Sequence, residues 1–427
     1  MHDTTREPDQ AAVADESSRR GFPSNGRTSA SVFAELFERK TTDADWQNGR
    51  TFNLVYPTGR SDVDSVLYEA NNAYLFENAL NPIRFPSLGA MQREVLEMVS
   101  SLVNAPGGAG AGFSSGGTES ILLSVLVSRE RGRVERGIEH GNIVFPFSAH
   151  PAFAKAAFYL GLETRSIQLT SGFTVDVEKM EEALDENTVL LVGSAYSFPY
   201  GLMDPIEGLS NIALARGIPF HSDTCIGSFV LPFLERLGRE VPPFDFRLPG
   251  VTQMSCDVHK YGYVTKGASV VVYRDAQWLS HQVFDYDGWP PGRYRNASVA
   301  GARAASPVAA SWAMLNYLGA QGYTEIMEGL MATTERFRDG IISLPGLEIF
   351  GDPIGPLLSF TSSRDDVFAI ADVMDARGWH LNRLQNPHGL QMMIAPLHGA
   401  HVDEFLEDLS NAVAHHDAAR EVGVTYN

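Results

Sequence analysis

The sequence predicts an α/β fold, a mainly parallel sheet covered by helices on both faces, followed by a smaller C-terminal α+β domain. Three observations predict it. Short β-branched runs bounded by turn residues alternate with helical stretches through the middle of the chain. The N-terminal part carries helical spacing only. The C-terminal part returns to strands after a helical stretch and closes on a helix.

In chain order, residues 1–28 are rich in charge, Ser and Gly and read as a disordered tail. SVFAELFERK carries an amphipathic helix, and VDSVLYEANNAYLF and LGAMQREVLEMVSSLV carry two more. Together they make a helical segment over 29–95. Between the last two, NPIRFP (Asn81–Pro86) is too proline-rich for a helix and reads as an extended link. A large domain over 96–305 holds the strands GNIVFPF, TRSIQLT, TVLLVGSA, IPFHSD and ASVVVYRD. Helices such as ESILLSVLVSRERGRVERG and HPAFAKAAFYLGL separate them. The last domain, 306–427, opens on the helix VAASWAMLNYLGAQGY. It adds the strands LLSFTS and LQMMIAPL and closes near VDEFLEDLSNAVAHH. No repeat of solenoid length is present.

Charge narrows the function. Of 427 residues, 33 are Lys or Arg and 52 are Asp or Glu, so 33 − 52 leaves −19. That argues against nucleic acid and against anionic lipid, both of which need a basic field. An anionic small molecule stays possible, because a local pocket can oppose the global sign. Two cysteines, Cys225 and Cys256, supply neither a disulfide framework nor a four-cysteine zinc site, and read as small buried packers. The polar N-terminus predicts neither signal peptide nor membrane anchor, and a cytoplasmic location follows as the expectation. No metal site is expected. His415 and His416 are adjacent on one helix, and His221 has no partner ligands at metal-like spacing.

Four places carry chemistry. GFSSGGTES (Gly112–Ser120) is a glycine-rich loop running into a helix that starts near Thr118. Free backbone N–H groups and the helix dipole there suit a phosphate. It is not a Walker loop, it misses the dinucleotide fingerprint, and no strand feeds it cleanly. Asp223 ends the strand IPFHSD, at the edge where α/β sheets bind ligands. In SCDVHKYGYVTKG, Lys260 lies between His259 and Tyr261, and Lys266 follows six residues on. His150, in the turn after a strand, offers a flat ring for stacking, or a plain helix start. A phosphate cradle, a carboxylate and a lysine are the three needs of pyridoxal 5′-phosphate: one holds the phosphate, one keeps the ring nitrogen protonated, one links to the aldehyde.

The chain resembles the sphingosine-1-phosphate lyase branch of the group II pyridoxal-phosphate decarboxylases. Matching blocks run from about Trp46 to Pro387: FSSGGTESILL, SAHPAFAKAA, GSAYSFPYGLMDPI, HSDTCIGSFVLPF, SCDVHKYGYVTKGASVVVYR, SVAGARAA and GWHLNRLQNP. The HKYG…KG and GWHLN-LQ blocks favour the lyase branch. The resemblance implies the type I, aspartate aminotransferase-like fold with a seven-stranded sheet, and an obligate homodimer with sites at the interface. It implies Lys260 as the cofactor-linking lysine, Asp223 as partner of the ring nitrogen, and His150 as the stacking residue. Gly116, Gly117 and Thr118 fall on the phosphate motif, with His259 beside it and Ser194 among the cofactor contacts. Gly301, in SVAGAR, closes the phosphate site of the neighbouring subunit. Lys266 serves either the substrate phosphate or the acid/base chemistry, and Tyr56 falls near the substrate phosphate.

Departures cluster on the substrate side. Asn81 replaces a histidine and carries neither charge nor a transferable proton. Tyr196 replaces a proline, GWPPGRYRN lengthens the segment before SVAGAR, and Gln391 stands where a histidine is usual. The implied activity is carbon–carbon cleavage of a phosphorylated β-hydroxy amine to an aldehyde and phosphoethanolamine. Amino-acid decarboxylation is the alternative on the same scaffold. A cofactor-binding protein without catalysis has no need of Lys260, Asp223 and His150 together.

Overall fold

The computed structural model describes residues 21–81 and 83–416. The expected disordered tail lies, for residues 1–20, outside the described residues. Residues up to Ala44 form one unit and Asp45 onward a second. In the first, helix α1 (Ser29–Lys40) is started by Thr28, whose hydroxyl accepts the Ser31 N–H, and ends on Arg39 and Lys40, which suit the helix C-terminus.

The second unit opens with α2 (Ser61–Ala73), carrying Asp62 and Asp64 in its first turn, and α3 (Pro86–Leu102), which starts on its proline. The segment between them is less extended than expected. The Asn81 carboxamide oxygen accepts the N–H groups of Ile83 and Arg84, closing a turn before Pro86.

A seven-stranded sheet forms the centre: β1 (Gly110–Ser114), β2 (Asn142–Pro146), β3 (Glu163–Ile167), β4 (Thr188–Ser194), β5 (Phe220–Asp223), β6 (Val251–Cys256) and β7 (Ser269–Tyr273). Their order is β1-β7-β6-β5-β4-β2-β3. Five strands from β3 to β6 pair in parallel, and β7 runs antiparallel to both its neighbours. The mainly parallel seven-stranded fold is therefore present. Two strands, however, escape the sequence pattern. β1 feeds the glycine-rich loop directly, against the expectation that no strand does, and β6 leads into Asp257–Lys260.

Helix α4 (Gly117–Arg136) crosses this sheet on a row of serines four residues apart. Ser120 bonds Ser114 and Ser269, Ser124 bonds His221, and Ser128 accepts from Gln253. Small side chains let the helix approach closely, and each hydroxyl finds a partner, as buried polar groups require. The shorter helices α5 (Ala152–Leu160), α6 (Val177–Glu182), α7 (Ile206–Arg216) and α8 (Leu231–Arg236) lie between successive strands, and α9 (Leu279–Gln282) follows β7.

A two-stranded hairpin, β8 (Phe284–Tyr286) with β9 (Tyr294–Asn296), precedes α10 (Ser306–Ser343). The sequence pattern predicts that helix only to Tyr323. It continues to Ser343 through a break at Gly319, whose φ of 55° a side chain would strain. The smaller sheet is antiparallel in the order β10-β11-β13-β12, from β10 (Leu347–Ile349), β11 (Leu357–Ser362), β12 (Asn382–Gln385) and β13 (His388–Met393). Helices α10 and α11 (Val367–Ala376) pack on it, and α12 (Val402–Ala414) packs on both of them. Among the described residues, no helix is long and apolar enough to cross a membrane.

Candidate active site

The carboxyl ends of β4, β5 and β6 put Ser194, Asp223 and Ser255 side by side, because Ser194 pairs with Asp223 and Asp223 with Ser255 in the ladders. This is the edge where parallel sheets hold ligands. Above it lies a cavity of about 320 Å³. Tyr56, Gly116, Gly117, Thr118, His150, His259, Lys260 and Lys266 all line it, although the sequence spreads them from residue 56 to residue 266. A larger hollow of about 760 Å³ lies between α3, α8 and α10, but none of these residues lines it. Chemistry rather than volume selects the site.

Lys260 Nζ lies 3.0 Å from Asp257 Oδ2. Burial opposes the lysine charge, but Asp257, then Tyr56, Cys225 and Asp223, raise its pKa well above the ordinary range. Burial works against the Asp257 carboxylate too, yet Lys260 and His259 hold its pKa below the usual value. Its second oxygen, Oδ1, is buried and makes no hydrogen bond. Asp257 was missed as a site residue. Its signal was its place three residues before Lys260, which in the loop that follows β6 puts both side chains together.

The start of α4 forms the opposite wall. No side chain caps this helix. A Cβ on Gly117 would lie 2.8 Å from Asp257 Oδ2 and 2.9 Å from the Cys225 sulfur, so only glycine fits. A Cβ on Gly116 would come 3.2 Å from His259 Cε1. Glu119, also on the cavity, binds the Ser115 N–H at 2.8 Å through Oε2 and the Val299 N–H at 2.9 Å through Oε1. It thereby ties the segment before Gly301 to the glycine-rich loop.

His150 starts α5 and also lines the cavity. Its Nδ1 accepts the Ala152 N–H at the start of that helix. Burial, then Lys260, lowers its pKa, which favours the neutral ring. His259 Nδ1 accepts the Ala268 N–H. Lys266 Nζ donates to the His259 carbonyl at 3.0 Å and stands 4.6 Å over the Tyr56 ring. Lys266 is exposed at the cavity mouth; partial desolvation by the surrounding protein, then Lys260, lowers its amine to about 8. Met393, which the pattern assigns to a core strand, also faces the cavity, with its sulfur 3.6 Å from Tyr56 Oη.

Four predicted residues stand off the cavity wall. Asp223 is buried behind it and accepts the Cys225 N–H and the Ser255 hydroxyl, both at 3.0 Å. Ser194 is buried with no partner for its hydroxyl. Asn81 is exposed in the turn before α3, and Gly301 lies beyond β9, where a Cβ would meet only the Tyr294 hydroxyl.

A family model, the pyridoxal-dependent decarboxylase conserved domain, matches residues 41–363. The chain belongs to this family. Within it, the chain is 37% identical to the sphingosine-1-phosphate lyase of rice over 90% of its own length and 72% of that protein. A solved structure of a sphingosine-1-phosphate lyase from Burkholderia pseudomallei is 36% identical, covers 93% of each chain and superposes with a TM-score of 0.90. The glutamate decarboxylase of Lactobacillus brevis, at 18% identity and a TM-score of 0.83, shares the fold.

The chain is thus an enzyme of this family, and its cofactor is pyridoxal 5′-phosphate. The cavity fits that group. An uncapped helix start meets a phosphate's charge, and a lysine amine opens on the same space. A buried carboxylate, Asp223, lies at the strand edge behind.

Proposed function

We propose that this enzyme cleaves the Cα–Cβ bond of a phosphorylated β-hydroxy amine, releasing an aldehyde and phosphoethanolamine. The observation that carries the proposal is that Lys260, Lys266 and Tyr56 line one small cavity. Lys260 would carry the cofactor, Asp223 would meet its ring nitrogen, and His150 would lie on its face. Gly116, Gly117 and Thr118 would hold its phosphate, flanked by His259, with Ser194 nearby. When bound, the cofactor supplies an electron sink for the pair released from the breaking carbon–carbon bond.

The chain's own residues supply the rest. The substrate's β-hydroxyl gives its proton to a base, its oxygen becomes the aldehyde carbonyl, and Cα regains a proton before the amine product leaves. Lys260, once free of its link, would be an amine on the same cavity, able to carry that proton. Lys266 supplies a local cation for the substrate phosphate within a protein of net charge −19. Tyr56 packs beside Lys266 and would belong to the same substrate subsite, to which Asn81, exposed in the turn before α3, is assigned as well. Gly301 would complete the phosphate site of a second copy in a homodimer. A cytoplasmic location completes the reading, and its support is that Cys225 and Cys256 are both buried as free thiols.

Incubation with sphinganine phosphate and shorter phosphorylated amino alcohols tests this. Aldehyde and phosphoethanolamine in equal amounts are the expected result, lost in Lys260→Ala. Carbon dioxide from an amino-acid panel, with no aldehyde from any phosphorylated amine, would establish decarboxylation instead.

A further inference from the structure

Behind the cavity, a chain of hydrogen bonds runs from α4 through two strands to Asp223. Ser124 Oγ lies 2.6 Å from His221 Nδ1. His221 Nε2 lies 3.0 Å from Ser255 Oγ. Ser255 Oγ lies 3.0 Å from Asp223 Oδ1. The Cys225 sulfur joins at Ser255, 3.2 Å from its hydroxyl. Ser124, His221 and Ser255 are fully buried and Asp223 nearly so. The geometry follows from strand periodicity. His221 and Asp223 are two residues apart on β5 and share a face, while Ser255 sits opposite Asp223 on β6.

Proton counting fixes the direction of the chain. An ionised Asp223 only accepts, so Ser255 spends its single proton on Asp223. Ser255 must then accept from its other neighbours, so His221 carries its proton on Nε2. His221 Nδ1 is left as an acceptor, and Ser124 donates to it. Cys225 also donates to Ser255, since burial pushes its thiol well above the usual range and keeps the proton on sulfur. Burial lowers the His221 pKa to about 4, in keeping with a neutral ring having one donor and one acceptor. Every proton in the chain therefore points toward Asp223. Both hydrogen bonds to Asp223, from Ser255 and from the Cys225 N–H, fall on Oδ1 and take no part of Oδ2.

We infer that Ser124, His221 and Ser255 are positioning residues that hold the Asp223 carboxylate in one orientation, turned so that its free oxygen serves the protonated ring nitrogen of the cofactor. This rests on the reading of Asp223 as that nitrogen's partner. None of the three positioning residues lines the cavity; Ser255 meets Asp223 directly and also touches Cys225, which does line it. A buried chain of this kind fixes the orientation of the carboxylate by leaving it one set of partners.

The test uses the full-length protein freed of cofactor. It is titrated with pyridoxal 5′-phosphate and with the analogue that has a CH group in place of the ring nitrogen. Wild type should prefer the natural cofactor by about tenfold or more, the scale of a charge-assisted hydrogen bond. Ser255→Ala should cut that preference by about fivefold while leaving the affinity for the analogue within about twofold, because the analogue offers Asp223 nothing to hold. Ser124→Ala, at the far end, should cut it less and in the same direction, and decides the matter if Ser255→Ala does not fold. Equal loss of both ligands would make the chain merely structural, and an unchanged preference in a folded variant would overturn it as well. A wild type without preference, or Asp223→Asn retaining the full preference, would instead remove the reading of Asp223 on which the relay rests.

Discussion

Asp257 and Lys260 form an ion pair of 3.0 Å at the floor of the cavity, and one oxygen of that aspartate is left without a hydrogen bond. The pair explains how a buried lysine stays charged until a cofactor claims it. Removing one partner of a buried pair leaves the other charge uncompensated.

Asp257→Asn should therefore lower the Lys260 pKa, because burial remains and the main opposing charge is gone. The check is the pH dependence of trinitrophenylation at Lys260 in cofactor-free protein, followed by peptide mapping. The midpoint should fall by about one pH unit or more. An unmoved midpoint would show that Asp257 does not set the lysine's charge.

Gly117→Ala should weaken cofactor binding by about tenfold or more, since the added carbon has no room and must push α4 or Asp257 aside. Gly107, where an added methyl would meet nothing within 4 Å, supplies the control: Gly107→Ala should bind the cofactor as wild type does. Fluorescence titration of both variants reads the difference.

Lys266 should impose an alkaline limit on substrate binding. Its folded-state pKa is lowered to about 8, so its charge is present below that pH and lost as pH rises through it. The KM for a phosphorylated substrate should climb above pH 8 while kcat changes little, and Lys266→Ala should raise KM and erase the climb. A kcat that rises across the same range would assign Lys266 to proton transfer instead.

Glu119→Ala should loosen the segment from Val299 to Arg303. Its carboxylate accepts backbone N–H groups from both Ser115 and Val299, and losing hydrogen bonds to a charged acceptor costs about 2 kcal/mol. Hydrogen exchange at Val299 should accelerate, with a lower melting temperature. Unchanged exchange would show that other contacts hold this segment.

Much of this was legible from the residues. The alternation of strands and helices located five of the seven central strands, and the loop GFSSGGTES, Asp223 and the Lys260–Lys266 pair marked the chemistry. β1 was illegible because GAGFS has no β-branched residue. It is a strand through antiparallel pairing with β7, a contact remote in sequence. β6 was illegible because Gln253 and Ser255 break the apolar run, and they are tolerable only where Ser128, His221 and Asp223 satisfy them.

Residue type and order by themselves determined the fold class, the cofactor and the lysine to watch, since those depend on local periodicity and on chemistry that few side chains supply. Tertiary structure alone decided that Met393 faces the cavity and that the start of α4 packs against Asp257 at Gly117. It alone aimed a buried histidine, through a serine, at Asp223. Those relationships depend on ladder register and on how closely α4 settles on the sheet, and neither is written in any one segment of the chain.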